Sequence, residues 1–168
     1  MLLELTNVFL FYSDFMVLDQ VNIAVPQGSS VAVLGPQGSG KSSLLKVAAG
    51  ITPPDEGEIR ILGQNPDVLP EAELLRLRSR MGFVFQDAAL WQTETVDRNL
   101  QLPLLVHQPQ TPLGRMRNAY LPLLRRFNMA DDLHLRPAQL SAGEQKVVSL
   151  LRSLVTWPEI LFLDEPTS

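Results

Sequence analysis

Residues 35–42 read GPQGSGKS and constrain the fold more than any other part of the sequence. They fit the pattern G-x-x-x-x-G-K-[ST], and an apolar run at residues 30–34 precedes them while a helical pattern at residues 41–49, ended by Gly50, follows. A strand, a glycine-rich turn and a helix in this order predict a parallel α/β core. The alternative is an ordinary glycine-rich turn with a solvated lysine, and the flanking strand and helix argue against it.

This segment, the phosphate loop, predicts binding of a nucleoside triphosphate. Glycines let the backbone curl so that successive N–H groups point inward, and the helix that follows adds the positive end of its dipole. We expect Lys41 to reach the β- and γ-phosphates and Ser42 to place its hydroxyl on Mg²⁺. The predicted nucleotide-binding residues here are Gly35, Pro36, Gln37, Gly38, Ser39, Gly40, Lys41, Ser42 and Ser43.

Two adjacent acids follow a second apolar run near the end of the sequence. Residues 160–163 predict a buried strand, and Asp164 and Glu165 come directly after it, which places both carboxylates at its C-terminal rim. Ligands of open α/β sheets bind at that rim. We expect Asp164 to hold Mg²⁺ through water and Glu165 to orient the water that attacks the γ-phosphate. Solvated turn residues are the alternative for such acids when no phosphate loop is present.

The remaining segments predict a mixed arrangement of strands and helices. Short β-type runs lie at residues 2–8, 20–25 and 57–62, a helix runs from Pro70 to about Arg80, and another strand covers residues 82–85. Together with the phosphate loop, these runs predict that strands and helices pack in one α/β domain.

Residues 87–138 have a different character, rich in leucine and proline and without strand alternation. Helices are predicted at residues 95–106 and 115–127. Pro103 and Pro122 interrupt these patterns, since proline inside a helix removes a hydrogen bond and introduces a steric clash. We therefore expect a helical insert whose boundaries the sequence does not define.

Composition narrows the classes of function. The 168 residues include 14 Lys and Arg against 18 Asp and Glu, a formal net charge of -4, so electrostatic binding of nucleic acid is not expected. The absence of cysteine excludes disulfide scaffolds and thiolate zinc sites. The first residues lack the basic region of a signal peptide, and no apolar run reaches the roughly 20 residues of a membrane span. We expect a soluble protein.

Residues 140–145, LSAGEQ, form the signature segment and have two interpretations. Ser141 and Glu144 have the spacing of a capping box ahead of an apolar helix at residues 142–156. Taken together with GPQGSGKS before it and ILFLDEP after it, however, the segment makes the chain resemble the ATP-binding cassette (ABC) ATPases over essentially its whole length.

The resemblance implies a fold and a division into subdomains. The expected fold is α/β: a P-loop NTPase-type parallel sheet core with an N-terminal antiparallel β subdomain and a helical insert. Residues 1–86 and 139–168 would form the nucleotide-binding core, and residues 87–138 the helical subdomain. Because relatives continue beyond their acid pair with further strands and a switch histidine, whereas His107 and His134 both precede Asp164, we expect a truncated domain with C-terminal strands missing.

The resemblance also implies roles for single residues. Gln86 would contact Mg²⁺ or the attacking water and sense a membrane partner, and Tyr12 would stack on adenine, with Phe11 as the alternative. Ser141 and Gly143 would contact the γ-phosphate of an ATP held by a second cassette, so that two chains enclose two nucleotides.

The signature segment departs from the family pattern L-S-G-G-Q at two positions. Ala142 replaces a glycine, which is a mild change, and Glu144 replaces the glutamine. A carboxylate near the triphosphate of a partner adds like-charge repulsion unless Lys146 or solvent compensates it.

The expected function is that of an ATP-binding and ATP-hydrolysing subunit of a transporter. It would use ATP and Mg²⁺, pair with a second cassette as a homo- or heterodimer, and act on transmembrane permease subunits from the cytoplasmic face of the membrane. The alternatives are a soluble cassette ATPase without a transport role, a truncated nucleotide-binding protein without turnover, and a small P-loop kinase.

Overall fold

The computed structural model describes residues 1–166; Thr167 and Ser168, the last two residues of the predicted core segment, lie outside the described residues. The chain divides into two compact units, Met1–Leu77 and Arg78–Ser168. None of the helices in residues 1–166 combines the length and the hydropathy that crossing a membrane requires.

The first unit is built on an antiparallel sheet. Strands β1 (Leu3–Tyr12), β2 (Phe15–Val25) and β3 (Glu56–Ile61) lie in the order β2-β1-β3, and both pairings are antiparallel. The predicted antiparallel β subdomain is thereby confirmed. Strands β1 and β2 extend further towards their shared turn than the sequence runs at residues 2–8 and 20–25 indicated.

A bulge at Asn7 explains how β1 keeps one apolar face over its whole length. Leu3 and Leu5 are buried, and the next buried residues are Val8 and Leu10, so the alternation shifts by one position at residues 6–7. Asn7 has a φ of 49°, and the pairing with β2 shifts between residues 5 and 8. An extra residue in one strand has this effect, because it changes which side chains face the core.

Helix α1 (Lys41–Ala48) packs on this sheet and contacts all three of its strands. Residues 30–34, predicted as a strand, are not hydrogen-bonded in any described sheet, and Val31 and Leu34 are 58% and 90% exposed. That prediction is wrong for the described residues, because an apolar run indicates burial but does not supply the neighbouring strand that a parallel pairing needs. Helix α2 (Glu71–Ser79) follows near its predicted position.

Among its described residues, the second unit contains a parallel strand pair and, wholly within it, three α-helices. Strands β4 (Met81–Val84) and β5 (Ile160–Leu163) pair in parallel, and α5 (Ala142–Leu154) packs against β4. Helices α3 (Val96–His107) and α4 (Leu113–Arg126) confirm the helical character predicted for residues 87–138, whereas the subdomain boundaries stay a prediction. The buried core of the helices is formed by Ala88, Leu90, Val96, Leu100, Leu104, Met116, Tyr120, Leu124, Met129, Leu140, Val148, Leu151 and Val155.

Helices α3 and α4 continue through Pro103 and Pro122. Hydrogen bonds join the two helices. The Asp97 carboxylate on α3 accepts from two side chains of α4, the Arg117 guanidinium at 2.6 Å and the Tyr120 hydroxyl. Burial, followed by the bond to Asp97, raises the pKa of Tyr120 to about 12, so the phenol stays protonated and keeps donating.

Candidate functional site

The phosphate loop ends where α1 begins. Gly40 is the N-cap residue of α1 with a φ of 85°, and Gly38 also has a positive φ of 79°. No side chain of the described residues caps this helix start. Backbone N–H groups of a first helical turn have no partner within the helix and attract anions, which matches the predicted role of the loop.

Strand β2 lies directly against the end of the loop. A Cβ atom built on Gly40 would lie 3.1 Å from both the carbonyl oxygen and the Cγ1 atom of Val17. Position 40 therefore requires glycine for two reasons: its left-handed backbone and its close approach to β2. The antiparallel sheet of the first unit thus packs against the junction between the phosphate loop and α1.

Lys41 is folded back onto the loop that it follows. Its Nζ atom donates to the carbonyl oxygens of Gly35 at 3.0 Å and Pro36 at 2.8 Å. The ammonium group is therefore held at the loop by neutral acceptors. Phosphate oxygens would be stronger acceptors for it, because hydrogen bonds between charged partners are stronger than those to a neutral carbonyl.

The aromatic alternatives Tyr12 and Phe11 lie on opposite faces of the β1–β2 hairpin. Tyr12 pairs with Phe15 and Phe11 pairs with Met16, and consecutive residues of a strand point to opposite sides. The Ser43 hydroxyl donates to the Tyr12 hydroxyl at 3.5 Å, so Tyr12 faces the helix that carries Lys41. This contact favours Tyr12 over Phe11 as the residue near a nucleotide.

In the second unit, the predicted Gln86 and the acid pair share one edge of the parallel sheet. Gln86 follows β4 and the acids follow β5, and the carboxyl ends of parallel neighbours meet at the same edge. The Gln86 Nε2 atom donates to the Glu165 Oε2 atom at 2.9 Å. Asp164 is only 4% exposed, and its backbone N–H donates to the carbonyl oxygen of Val84 at 2.9 Å.

Glu165 has a left-handed backbone and a second partner on α5. Its φ is 45°, which is uncommon for a residue with a side chain, and the Lys146 Nζ atom donates to its carbonyl oxygen at 3.2 Å. No sequence pattern connects these two residues, since Lys146 is predicted from the sequence only as a countercharge to Glu144.

Arg152 is a second residue of α5 that sequence reasoning missed. Its guanidinium donates to the carbonyl oxygens of Ala89 at 2.8 Å and Ala88 at 3.1 Å, both of which have positive φ values. Burial lowers the pKa of Arg152, although an arginine side chain still remains protonated. These bonds hold the turn that follows Gln86.

The signature segment forms the capping box that its spacing predicted. The Glu144 carboxylate accepts hydrogen bonds from the Ser141 backbone N–H at 2.7 Å and from the Ser141 hydroxyl at 2.8 Å. The Ser141 hydroxyl oxygen in turn accepts from the backbone N–H of Glu144 at 3.3 Å. The two bonds from Ser141 lower the pKa of the Glu144 carboxyl, so it is ionised at neutral pH.

Gly143 has no packing role in the described chain. A Cβ atom added to it would meet no other atom within 4 Å. Glycine inside a helix is less favourable than alanine by about 1 kcal/mol. Contacts within residues 1–166 therefore do not explain why position 143, at the exposed start of α5, is glycine.

The predicted metal ligands supply one hydroxyl, one amide and one carboxylate: Ser42, Gln86 and Asp164. No cluster of three or more His, Cys, Asp or Glu side chains in residues 1–166 forms a separate metal cage. Each of these groups offers an oxygen atom of the kind that Mg²⁺ accepts, together with substrate phosphates and water. Because the Gln86 amide nitrogen donates to Glu165, its amide oxygen is the atom suited to a cation.

Comparison with known proteins identifies many relatives of one kind. The family model described as ABC transporter matches residues 18–168. The sulfate/thiosulfate import ATP-binding protein CysA of Mesostigma viride is 38% identical over 162 residues, which are 95% of this chain and 44% of that protein. The macrolide export ATP-binding/permease protein MacB of Chlorobium luteolum is 40% identical over 99% of this chain and 25% of its own length.

A third relative, the glutamate transport ATP-binding protein GluA of Corynebacterium efficiens, is 36% identical over 99% of this chain and 68% of its own length. Among solved structures, the dimeric post-hydrolysis state of the ATP-binding cassette MJ0796 bound to ADP and Pi superimposes with a TM-score of 0.90 at 31% identity. The match covers 98% of this chain and 74% of that one. The chain thus spans less than half of the CysA and MacB proteins that it matches.

Proposed function

Because this chain belongs to the ABC transporter family and is a nucleotide-binding domain of that family, we propose that it binds MgATP and hydrolyses it to power transport. The observation that supports hydrolysis, in addition to nucleotide binding, is the hydrogen bond of 2.9 Å between Gln86 and Glu165 at the edge of the parallel sheet. A carboxylate oriented by an amide from the neighbouring strand is suited to hold an attacking water in line.

The proposed chemistry is the attack of water on the γ-phosphate, which releases ADP and phosphate. Lys41 and the N–H groups at the start of α1 bind the β- and γ-phosphates, and Glu165 orients the water while Gln86 holds its carboxylate. Ser42, Gln86 and Asp164 would hold Mg²⁺. The ion would neutralise charge on the transferred phosphoryl group, and the residues of this chain would position the reacting groups.

Adenine recognition is assigned in this proposal to Tyr12. Its contact with Ser43 directs the ring towards the side of the hairpin that carries α1, and half of its surface is exposed, which leaves a face for stacking. The other proposed nucleotide contacts of the loop are Gly35, Pro36, Gln37, Gly38, Ser39, Gly40 and Ser43.

A second cassette and transmembrane permease subunits are the proposed partners, and they would hold the protein at the cytoplasmic face of the membrane. The open space around Gly143 supports the cassette pairing, because a helix start that lacks a side chain at this position admits the phosphates of a nucleotide bound to another chain. Ser141 and Gly143 would make this contact. The transported substrate is not assigned.

The test of this function is phosphate release from MgATP by the protein with its complete chain. We expect release that requires Mg²⁺ and that leaves ADP as the other product. Tight binding of ATP without release would instead indicate a nucleotide-binding protein without turnover. Transfer of the γ-phosphate to a metabolite would indicate a kinase, and stimulation by RNA or DNA a cassette ATPase without a transport role.

Replacing Glu144 with glutamine is expected to strengthen the ATP-dependent association of two copies. The substitution removes a negative charge beside Ser141, where the proposed contact with the triphosphate of the partner lies, while its amide oxygen can still accept the bonds of the cap. At low salt we expect a gain of about fivefold in the association constant, decreasing as salt screens the charge. Sedimentation with MgATP measures it.

The matched control is Glu73→Gln, which makes the same change at an exposed position on α2. It should leave association unchanged. If Glu144→Gln and Glu73→Gln behave alike in a protein that dimerises with MgATP, charge at position 144 does not oppose the contact.

A further inference from the structure

Helix α5 connects two parts of the molecule that the proposed function uses separately. Its first turn carries Ser141 and Gly143, the proposed contacts to a nucleotide on another chain. One turn further along the same helix, the Lys146 Nζ atom donates to the carbonyl oxygen of Glu165 at 3.2 Å. The residue that orients the attacking water is therefore bonded to the helix that begins at the signature segment.

The backbone of Glu165 needs external contacts to keep its conformation. Its φ of 45° lies in the left-handed region, which is unfavourable for residues with a Cβ atom and persists only where surrounding structure holds it. Two described contacts act on Glu165 from different sides. Gln86 bonds the carboxylate, and Lys146 bonds the main chain of the same residue.

The two contacts have different consequences for the carboxylate. The Gln86 amide directs one carboxylate oxygen but leaves the direction of the Cα–Cβ bond open, because it acts at the end of the side chain. The Lys146 ammonium bonds the carbonyl group of Glu165 and so stabilises the left-handed conformation of this residue. Loss of this bond favours relaxation to a negative φ, and rotation about the N–Cα bond then turns the Cβ atom and the carboxylate away from the position of the attacking water.

We propose that Lys146 is a positioning residue that holds the main chain of Glu165 in its catalytic conformation and couples it to the start of α5. This inference rests on the proposed function, because it concerns hydrolysis at the same site. Since helices move as rigid elements, a contact of Ser141 with a nucleotide on a second chain is transmitted to Glu165 through the hydrogen bond of Lys146. Turnover, more than nucleotide binding, is the quantity that Lys146 controls.

The experiment compares Lys146→Met with the parent protein, using the complete chain and its partner subunits. Methionine keeps the length of the side chain and removes the donor. We expect kcat for MgATP to fall about tenfold while KM changes less than about twofold, because the lost contact positions a group used only in the transition state. Lys146→Arg, which keeps a hydrogen-bond donor, should retain most of the turnover of the parent protein.

Lys46→Met is the matched control, since it makes the same change in a lysine of the last turn of α1 that has no role in the proposed chemistry. It should leave kcat and KM unchanged. Thermal unfolding of all variants separates a loss of turnover from a loss of fold. If Lys146→Arg loses as much kcat as Lys146→Met while both keep a normal melting temperature, the role of the donor is contradicted.

A double variant tests whether Lys146 acts through Glu165. In a Glu165→Gln background, Lys146→Met should lower the residual turnover by less than about twofold, because residues that act as a unit are not additive. A further tenfold loss would overturn the inference. If the parent protein hydrolyses MgATP and Lys146→Met has the same kcat, the role of Lys146 is overturned and the proposed function stands. If the parent protein does not hydrolyse MgATP, the proposed function is overturned together with this inference.

Discussion

Glu165→Gln is expected to lower the turnover of MgATP by about 10²- to 10³-fold while ATP binding stays largely intact. Glutamine retains an oxygen that can accept the hydrogen bond now made by Gln86 Nε2, so the edge of the parallel sheet keeps its contacts. It lacks the carboxylate charge that is proposed to orient and polarise the attacking water. Steady-state phosphate release and equilibrium ATP binding, measured on the same preparation, give the two numbers.

Because the variant is expected to bind ATP but to hydrolyse it slowly, the ATP-bound dimer should accumulate and be detectable by size-exclusion chromatography with MgATP. Glu159→Gln provides the control. This glutamate forms an ion pair with Arg80 at 2.6 Å and precedes β5, whereas the acid pair follows β5. Unchanged turnover in Glu165→Gln would count directly against the catalytic role of this carboxylate.

Lys41→Ala is expected to abolish nucleotide binding. The substitution removes the ammonium group that bonds the loop carbonyls of Gly35 and Pro36, and with it the positive charge proposed to neutralise the β- and γ-phosphates. At an ATP concentration of 100 times its Kd, a ligand stabilises the parent protein by about 2.7 kcal/mol, which raises its melting temperature. The variant should show no such shift with MgATP.

Lys46→Ala is the control for this measurement, because it removes a lysine from the other end of the same helix. It should keep the full MgATP-dependent shift. A Lys41→Ala variant that is stabilised by MgATP as strongly as the parent would exclude the phosphate loop as the main nucleotide contact.

Features that depend on residues close together in the sequence were predicted well. The capping box of Ser141 and Glu144 is present with both of its reciprocal bonds, and β5 covers the predicted residues 160–163. Helix α1 begins at Lys41, directly after the glycine of the phosphate loop. Each of these features is decided within a few residues, by hydrogen bonding of a side chain to nearby backbone or by a short apolar run.

Features that depend on distant neighbours were missed. Residues 30–34 are apolar but have no hydrogen-bonded strand beside them in the described chain. Strand β1 is longer than its sequence pattern indicated, because the bulge at Asn7 shifts the alternation of apolar residues by one position. A repeat of two residues cannot be followed through a bulge without knowing the partner strand.

By itself, the sequence determined which chemical groups this chain carries: a phosphate loop with Lys41, an acid pair after a strand, and a capped helix start at Ser141. Tertiary structure alone decided which groups hold these residues in place. Lys146 reaches Glu165 across 19 positions, and Arg152 reaches Ala88 across 64. Such contacts arise when packing brings two elements together, and no local pattern encodes them, because a flexible lysine or arginine side chain bonds whichever carbonyl the fold presents.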